Sequence, residues 1–154
     1  MSDQDIRCTF STSPTSPNIG IVARYVNATN WLIVDFRNTT GNAIELLKFQ
    51  AGVWTSLDIA IYSTVVKGAT FDVRVLVEGS TCQVWMGGGL MLDRAFSPAE
   101  QAVFGSATKC GLALFSGKFF GTSPNDPGDS RFDNFQVGVE DRRFRRGMGL
   151  IRSR

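Results

Sequence analysis

Apolar and polar side chains alternate in short segments along most of this chain. In residues 70–78 the odd-numbered positions are Phe or Val and the even-numbered ones are mostly polar. In residues 82–86, Cys, Val and Met alternate with Gln83 and Trp85. A period of two is typical of a β-strand with one buried face. Alternation, or a short apolar run between turn residues, predicts strands at residues 6–10, 20–25, 30–36, 43–49, 52–61, 70–78, 82–86, 90–92, 109–116 and 131–139.

One segment has the signature of a helix start instead. Ser97 is a good N-cap, Pro98 suits the first helical position, and Glu100 can complete a capping box. The helix should end near Gly105, after about two turns. About ten strands and one short helix predict an all-β fold, an antiparallel two-sheet β-sandwich. We expect residues 1–139 to form the sandwich and residues 140–154 to form a C-terminal extended arm.

The final predicted strand, Arg131-Phe132-Asp133-Asn134-Phe135-Gln136-Val137, is the most distinctive segment. Together with the order of the preceding strands, it resembles the concanavalin-A-like, laminin-G-like jelly-roll domains found in phage tail and capsid-associated proteins. The resemblance spans residues 5–139 and implies a jelly roll, but it does not fix a ligand.

The start of the chain departs from that family pattern. Family members commonly carry a first strand beside the final Phe-Asp-Asn-Phe strand, whereas this chain starts at what looks like the third strand. Either residues 1–10 serve as a replacement edge, or the sheet keeps a bare edge that can pair with another chain. We hypothesise that a partner subunit or the C-terminal arm covers such an edge.

The sequence argues against catalysis. It contains no histidine, which excludes Ser-His-Asp and Cys-His mechanisms. Glycoside hydrolysis needs two carboxylates at a defined separation, and no acidic cluster of that kind occurs. Asp72 and Glu78, six residues apart with Arg74 between them, are interpreted as a solvated outer face. We therefore predict a protein that is not an enzyme.

Aromatic residues are the candidates for binding sugars, because exposed rings can stack on sugar faces. Trp85 is out of phase with the inward set of its strand and should point outward. The alternative for any one tryptophan is a place in the core or at a sheet rim. The candidate glycan-binding residues are Trp85, Trp54, Trp31 and Tyr25.

The resemblance also raises calcium, since laminin-G-like domains often hold one ion through loop oxygens. The matching oxygen-rich cluster here is Asn125, Asp126, Asp129 and Asp133. Asx residues also simply form turns, so that alternative stays open. We expect no other cofactor.

The cysteines indicate a reducing environment. Cys8, Cys82 and Cys110 make an odd count without a C-x-x-C pair, and each occupies an apolar strand position. Buried, reduced thiols are expected, as in a protein made in a cytoplasm. The first residues show no signal-peptide pattern.

The end of the chain is basic. Six arginines and two acidic residues give residues 138–154 a net charge of +4, which leaves −2 for the rest of a chain whose total is +2. Apolar residues between the arginines favour an arm that docks on another protein. A disordered solubilising tail and a nucleic-acid arm are the alternatives. The predicted docking residues are Arg142, Arg143, Phe144, Arg145, Arg146, Met148, Leu150 and Ile151.

These features together predict a non-catalytic structural or adhesion protein of a phage virion, tail-associated or capsid-decorating. Its expected partners are neighbouring virion subunits, in a homo-oligomer or larger assembly, and host-surface glycans. We expect neither a membrane nor a nucleic acid as partner. The alternatives are a free-standing carbohydrate-binding module and, third, a degenerate glycoside hydrolase.

Overall fold

The computed structural model describes residues 3–11, 18–37, 43–61, 69–114 and 131–138. In this part of the chain lie ten strands and one helix, each close to its predicted position. They are β1 (Gln4–Ser11), β2 (Asn18–Asn27), β3 (Asn30–Arg37), β4 (Ala43–Gln50), β5 (Val53–Ile61), β6 (Thr70–Glu78), β7 (Thr81–Met86), β8 (Gly89–Ala95), α1 (Pro98–Phe104), β9 (Lys109–Leu114) and β10 (Arg131–Gly138).

The strands form two five-stranded sheets. The first sheet has the order β10-β1-β6-β7-β8, and the second sheet has the order β5-β4-β3-β2-β9. Every neighbouring pair is antiparallel. The predicted all-β, two-sheet jelly-roll sandwich with one short helix is confirmed.

A single apolar core lies between the two sheets. Alternation places Ile6, Cys8 and Phe10 of β1 in this core, and the intervening Arg7 points outward. The ring of Phe10 meets that of Phe36 from the second sheet, with 4.8 Å between centroids. Because the core-facing positions are almost all apolar, the polar side chains between them are left on the outer faces of the sheets.

The first strand resolves the question raised by the short N-terminal region. β1 pairs on one side with β10, where Phe10 is opposite Phe132, and on the other side with β6, where Phe10 is opposite Phe71. The segment therefore takes the place beside the Phe-Asp-Asn-Phe strand. The expectation that it would form an edge is wrong, because β10 lies outside it. Whether a partner or residues 140–154 cover an edge stays a prediction, since those residues lie outside the described part.

The helix α1 lies in the connection between β8 of the first sheet and β9 of the second sheet. It begins with the capping box that the sequence predicted. The Ser97 hydroxyl accepts the N–H of Glu100 at 3.3 Å, and the Glu100 carboxylate accepts the N–H of Ser97 at 2.8 Å. Lys48 and Arg94 lie 3.6 Å and 3.5 Å from the same carboxylate. The cap fixes the helix so that Phe104 reaches the core.

None of the three cysteines forms a disulfide; Cys8 and Cys82 are buried as predicted, whereas Cys110 is not fully buried. Burial raises the pKa of Cys8 to about 11 and the pKa of Cys82 to about 12. Cys110 is half-buried, and burial raises the pKa of its thiol as well. These thiols are therefore poor nucleophiles in the folded protein.

Among the described residues, no helix has the length and apolar character needed to cross a bilayer.

Candidate functional site

The outer face of the first sheet carries a groove of about 400 Å³. We call it the Trp85 groove. Its floor and walls come from four strands, β1, β6, β7 and β10, and from the turn after β7. The lining residues include Arg7, Thr9, Asp72, Arg74, Trp85, Gly88, Asn134 and Gln136.

At the centre of the groove an arginine lies over a tryptophan. Arg74 and Trp85 are directly opposite each other on β6 and β7, and the guanidinium carbon of Arg74 is 5.0 Å from the centroid of the Trp85 ring. This is a cation–π distance. Both side chains are half-buried, so the ring is held in position and still offers surface to solvent.

A single buried carboxylate orients the arginines. Arg74 donates to Asp5 through Nε at 2.8 Å and Nη2 at 3.0 Å. Arg7 donates to the same carboxylate through Nε at 3.2 Å and Nη2 at 2.7 Å. Burial by itself would raise the pKa of Asp5, but the hydrogen bonds from Arg74 and Arg7 outweigh it and hold the pKa below its ordinary value. Asp5 is therefore ionised at neutral pH.

The other end of the groove is built from smaller polar groups. The Thr9 hydroxyl donates to the Asp72 carboxylate at 2.7 Å, and the amide of Asn134 donates to the Thr9 oxygen at 3.4 Å. Asp72 and Asn134 are both exposed. This end therefore presents hydrogen-bond donors and acceptors at the solvent side of the groove.

A β-bulge in β10 shapes that wall. Arg7 is opposite Gln136 and Thr9 is opposite Asp133, so two residues of β10 face the single residue Cys8. Asn134, the first of the two, has a φ of 51°, in the left-handed region that Asn tolerates better than most residues. As a result, both Asn134 and Gln136 line the groove.

The second sheet carries a different aromatic group. Phe49 of β4 is opposite Trp31 of β3 and Trp54 of β5, and the rings of the three residues contact one another. The Trp31 and Trp54 rings meet edge to face at 5.0 Å, and Phe49 lies 5.6 Å and 4.7 Å from them. These rings bury part of their surface in one another, which leaves less of it for a ligand.

The middle of that outer face is buried, whereas its β5 edge exposes Ile59 and Ile61. Ile33 and Leu47, which share it, have no exposed surface, and the carboxylates of Asp35 and Glu45, opposite each other on β3 and β4, are buried. Between the two outer faces, as far as the described residues show, the face of the first sheet offers the open polar groove.

The sequence candidates therefore divide between two surfaces. Trp85 lines the groove on the first sheet, whereas Trp31 and Trp54 lie together on the second. Tyr25 is half-buried near the end of β2, opposite Lys109 of β9. The sequence set of four rings is not one site.

The calcium cluster is described only at Asp133, whose carboxylate is exposed and accepts the N–H of Asn134 at 2.7 Å. Asn125, Asp126 and Asp129 lie outside the described residues, as do the predicted docking residues from Arg142 to Ile151. Within the described residues no group of three or more His, Cys, Asp or Glu side chains could hold a metal. The calcium and docking expectations stay predictions.

Sequence reasoning missed most of the groove. The sequence pattern indicates only a solvated face for Asp72 and Arg74, and it gives no signal for Arg7, Thr9 or Gln136. One signal in the sequence could have revealed part of it. Because β6 and β7 form a hairpin, an outward-facing Trp85 on β7 implies that the outward-facing residues of β6 lie beside it. The contribution of β1 and β10 depended on sheet order, which alternation does not reveal.

The groove does not have the acid pair of a glycosidase. Among the residues that line the groove, Asp72 is the one carboxylate, and the nearby Asp5 is bound by two arginines. A general acid needs a raised pKa, and that of Asp5 is lowered. The arrangement of these described residues can bind a polar ligand, but it does not supply the two carboxylates of hydrolysis.

No protein-family model matches the chain, and no curated protein matches its sequence. Solved structures do match its fold. The carbohydrate binding module CBM66 from Bacillus subtilis is 15% identical, covers 89% of this chain and 75% of its own, and has a TM-score of 0.66. The ancestral congerin Con-anc is 14% identical, with 88% and 91% covered and a TM-score of 0.62. Chicken galectin 2 is 11% identical, with 90% and 98% covered and a TM-score of 0.60.

These likenesses show a common fold, the jelly-roll sandwich, over nearly all of this chain. At such low identity they do not carry over a ligand or a binding residue.

Proposed function

We propose that this protein binds a neutral glycan in the Trp85 groove. The observation that carries the proposal is the Arg74–Trp85 pair at 5.0 Å, set among hydrogen-bonding side chains in an open groove of about 400 Å³. That volume lies within the range of small-ligand sites, about 300–1,000 Å³.

The chemistry of a sugar fits both kinds of surface. A pyranose ring has an apolar C–H face and a rim of hydroxyl groups, so it can contact an indole and hydrogen-bond beside it at the same time. Trp85 supplies the apolar contact, and its ring is held in place by Arg74. Asp72, Thr9 and Asn134 supply acceptors and donors at the open end.

The charges of the site favour a neutral sugar over an acidic one. The positive charges of Arg7 and Arg74 are balanced by two carboxylates. One is Asp5, which binds both arginines, and the other is Asp72, which lines the groove. The four charges cancel. An acidic sugar would meet no net positive charge, and its carboxylate would be repelled by Asp72.

The comparisons support the proposal at the level of fold. One structural neighbour is by name a carbohydrate binding module. This agrees with the alternative raised from the sequence, a carbohydrate-binding module, better than with a virion protein. The virion role, assembly with neighbouring subunits and synthesis in a host cytoplasm stay predictions.

The test is a glycan panel probed with the wild-type protein and two tryptophan variants. We expect Trp85→Ala to lose at least tenfold in affinity for the glycan found, which corresponds to about 1.4 kcal/mol. Trp54→Ala, which removes a half-buried tryptophan from the second sheet, is the matched control and should bind normally. Urea unfolding of both variants checks that each is folded.

Two outcomes would overturn the proposal. In one, no member of the panel binds the wild-type protein. In the other, Trp54→Ala abolishes binding and Trp85→Ala leaves it unchanged, which would move the site to the second sheet.

A further inference from the structure

A second cavity lies next to the Trp85 groove on the same face of the sheet. Its volume is about 260 Å³, and we call it the Gly138 cavity. Arg7 and Gln136 line both cavities and stand opposite each other on β1 and β10. The remaining lining residues of the Gly138 cavity are Asp5, Val137 and Gly138.

The Gly138 cavity adjoins the part of the Trp85 groove that β1 and β10 line, and it continues along these two strands. Thr9 lies in the Trp85 groove, Arg7 lies at the division, and Asp5 lies in the Gly138 cavity. The four residue steps from Asp5 to Thr9 along β1 span about 13 Å. That length exceeds one pyranose ring.

We propose that the ligand is an oligosaccharide that extends from the Trp85 groove past Arg7 into the Gly138 cavity. This inference rests on the proposed function and adds a second subsite to it. The first sugar contacts Trp85, and because β7 and β10 are three strands apart, a later unit of the same oligosaccharide occupies the space beside Gly138.

The side chains of the second subsite suit a sugar more than an apolar ligand. Arg7 is tied to Asp5 at its guanidinium, yet its side chain is 56% exposed and can contact a ligand on either side. Gln136 is exposed and offers an amide donor and an acceptor. Val137 is opposite the core residue Ile6, so its side chain lies on the other face of the sheet and it borders this cavity only through its backbone.

The absence of a side chain at Gly138 leaves the space open. Among the described residues, a Cβ built at this position would have only the carbonyl oxygen of Asp5 within reach, at 4.0 Å. A larger residue therefore fits the strand without displacing its neighbours, but it would occupy the cavity. Gly138 thus gives a variant that blocks the second subsite and spares the first.

The experiment measures affinity against ligand length by isothermal titration calorimetry. The probes are the cello-, malto-, manno- and xylo-oligosaccharide series from one to six units. For the series that binds, we expect the affinity of the wild-type protein to rise at least tenfold between one unit and three. In Gly138→Val the monosaccharide affinity should be unchanged, and the rise with length should shrink to less than threefold.

Phe135→Ala is the matched control, because Phe135 is an exposed residue of the same strand that lines neither cavity. It should keep the full rise with length. Should Gly138→Val unfold at a lower urea concentration than the wild type, Gly138→Ala provides a second variant with a smaller side chain in the same place, and a smaller rise than in the wild type is expected.

The outcomes separate the two proposals. Binding of monosaccharides with no gain for longer ligands would overturn the second subsite and leave the proposed function standing. An unchanged rise in both Gly138→Val and Gly138→Ala would overturn it as well. Failure of every series to bind would overturn both.

Discussion

Arg74 and Trp85 are cross-strand partners whose side chains meet on the outer face of the first sheet, with the guanidinium carbon 5.0 Å from the ring centroid. The guanidinium is fixed in turn by two hydrogen bonds to Asp5 of the neighbouring strand β1. The orientation of the indole therefore depends on a carboxylate one strand further away. Three strands contribute one side chain each to a chain of contacts that ends at the candidate binding surface.

We expect substitution of Arg74 to weaken both the fold and the site. Arg74→Met removes two hydrogen bonds to a buried carboxylate and the contact with Trp85, and should cost about 1–3 kcal/mol of unfolding free energy. Arg7→Met is the matched control, because Arg7 binds the same carboxylate but is 56% exposed, and should cost about 1 kcal/mol or less. Urea unfolding followed by circular dichroism gives both values. Equal losses in the two variants would contradict the central place given to Arg74.

Acid should destabilise the protein through Asp5. Its pKa is lowered in the folded state, so its contribution to stability is present above the ordinary value near 3.8 and is lost as the pH falls through the lower folded pKa. Glu100, whose pKa is also lowered, acts in the same direction. The urea midpoint should stay level from pH 7 to about pH 5 and then fall.

Asp5→Asn isolates the part that belongs to Asp5. This variant should be less stable than the wild type at pH 7, and its midpoint should fall less steeply in acid, so that the two curves approach each other at low pH. Curves that stay parallel from pH 7 to pH 3 would show that Asp5 does not contribute to the acid sensitivity.

Gly20 should resist even the smallest side chain. A Cβ at this position would lie 2.6 Å from Cδ1 of Ile33 and 3.1 Å from the carbonyl oxygen of Val34. Ile33 is fully buried, so its side chain cannot relieve the clash by moving into solvent. Gly20→Ala should therefore cost about 1–3 kcal/mol, as overpacking does elsewhere.

Gly111→Ala, in the adjacent strand β9, is the control for Gly20→Ala. In the part of the chain that the structure describes, nothing lies within 4 Å of a Cβ at Gly111, so the unfolding free energy should change by about 0.5 kcal/mol or less. The comparison uses urea unfolding of the two variants under one condition. A neutral Gly20→Ala would mean that Ile33 repacks freely.

The fold could be predicted from the sequence because the local signals agree with the tertiary structure. The alternation in β6 and β7 set the inward and outward faces, including the outward Trp85, and the turn between these strands contains Gly79 with a φ of 54°. The cap of α1 formed as the residues around Ser97 predicted. Each of these features involves residues close in the chain, so a single sequence suffices to predict it.

The groove was harder to predict because it joins distant segments. Arg7, Arg74 and Gln136 belong to β1, β6 and β10, and alternation says that each points outward without saying which strands are neighbours. The bulge that places Asn134 in the wall depends on a left-handed residue inside a strand, which the period of two does not show. Similarly, only the register of β3, β4 and β5 reveals that Trp31 and Trp54 meet across Phe49.

The place of β1 between β6 and β10 also affects when the groove can form during synthesis. Residues near position 7 leave the ribosome well before their partner strand, which ends at Gly138 and is made about 120 residues later. Until that last strand pairs, one wall of the groove is missing and β1 has only one neighbour. The proposed binding site should therefore be incomplete until β10 has paired, so that a nascent chain stopped before residue 131 should not bind sugars.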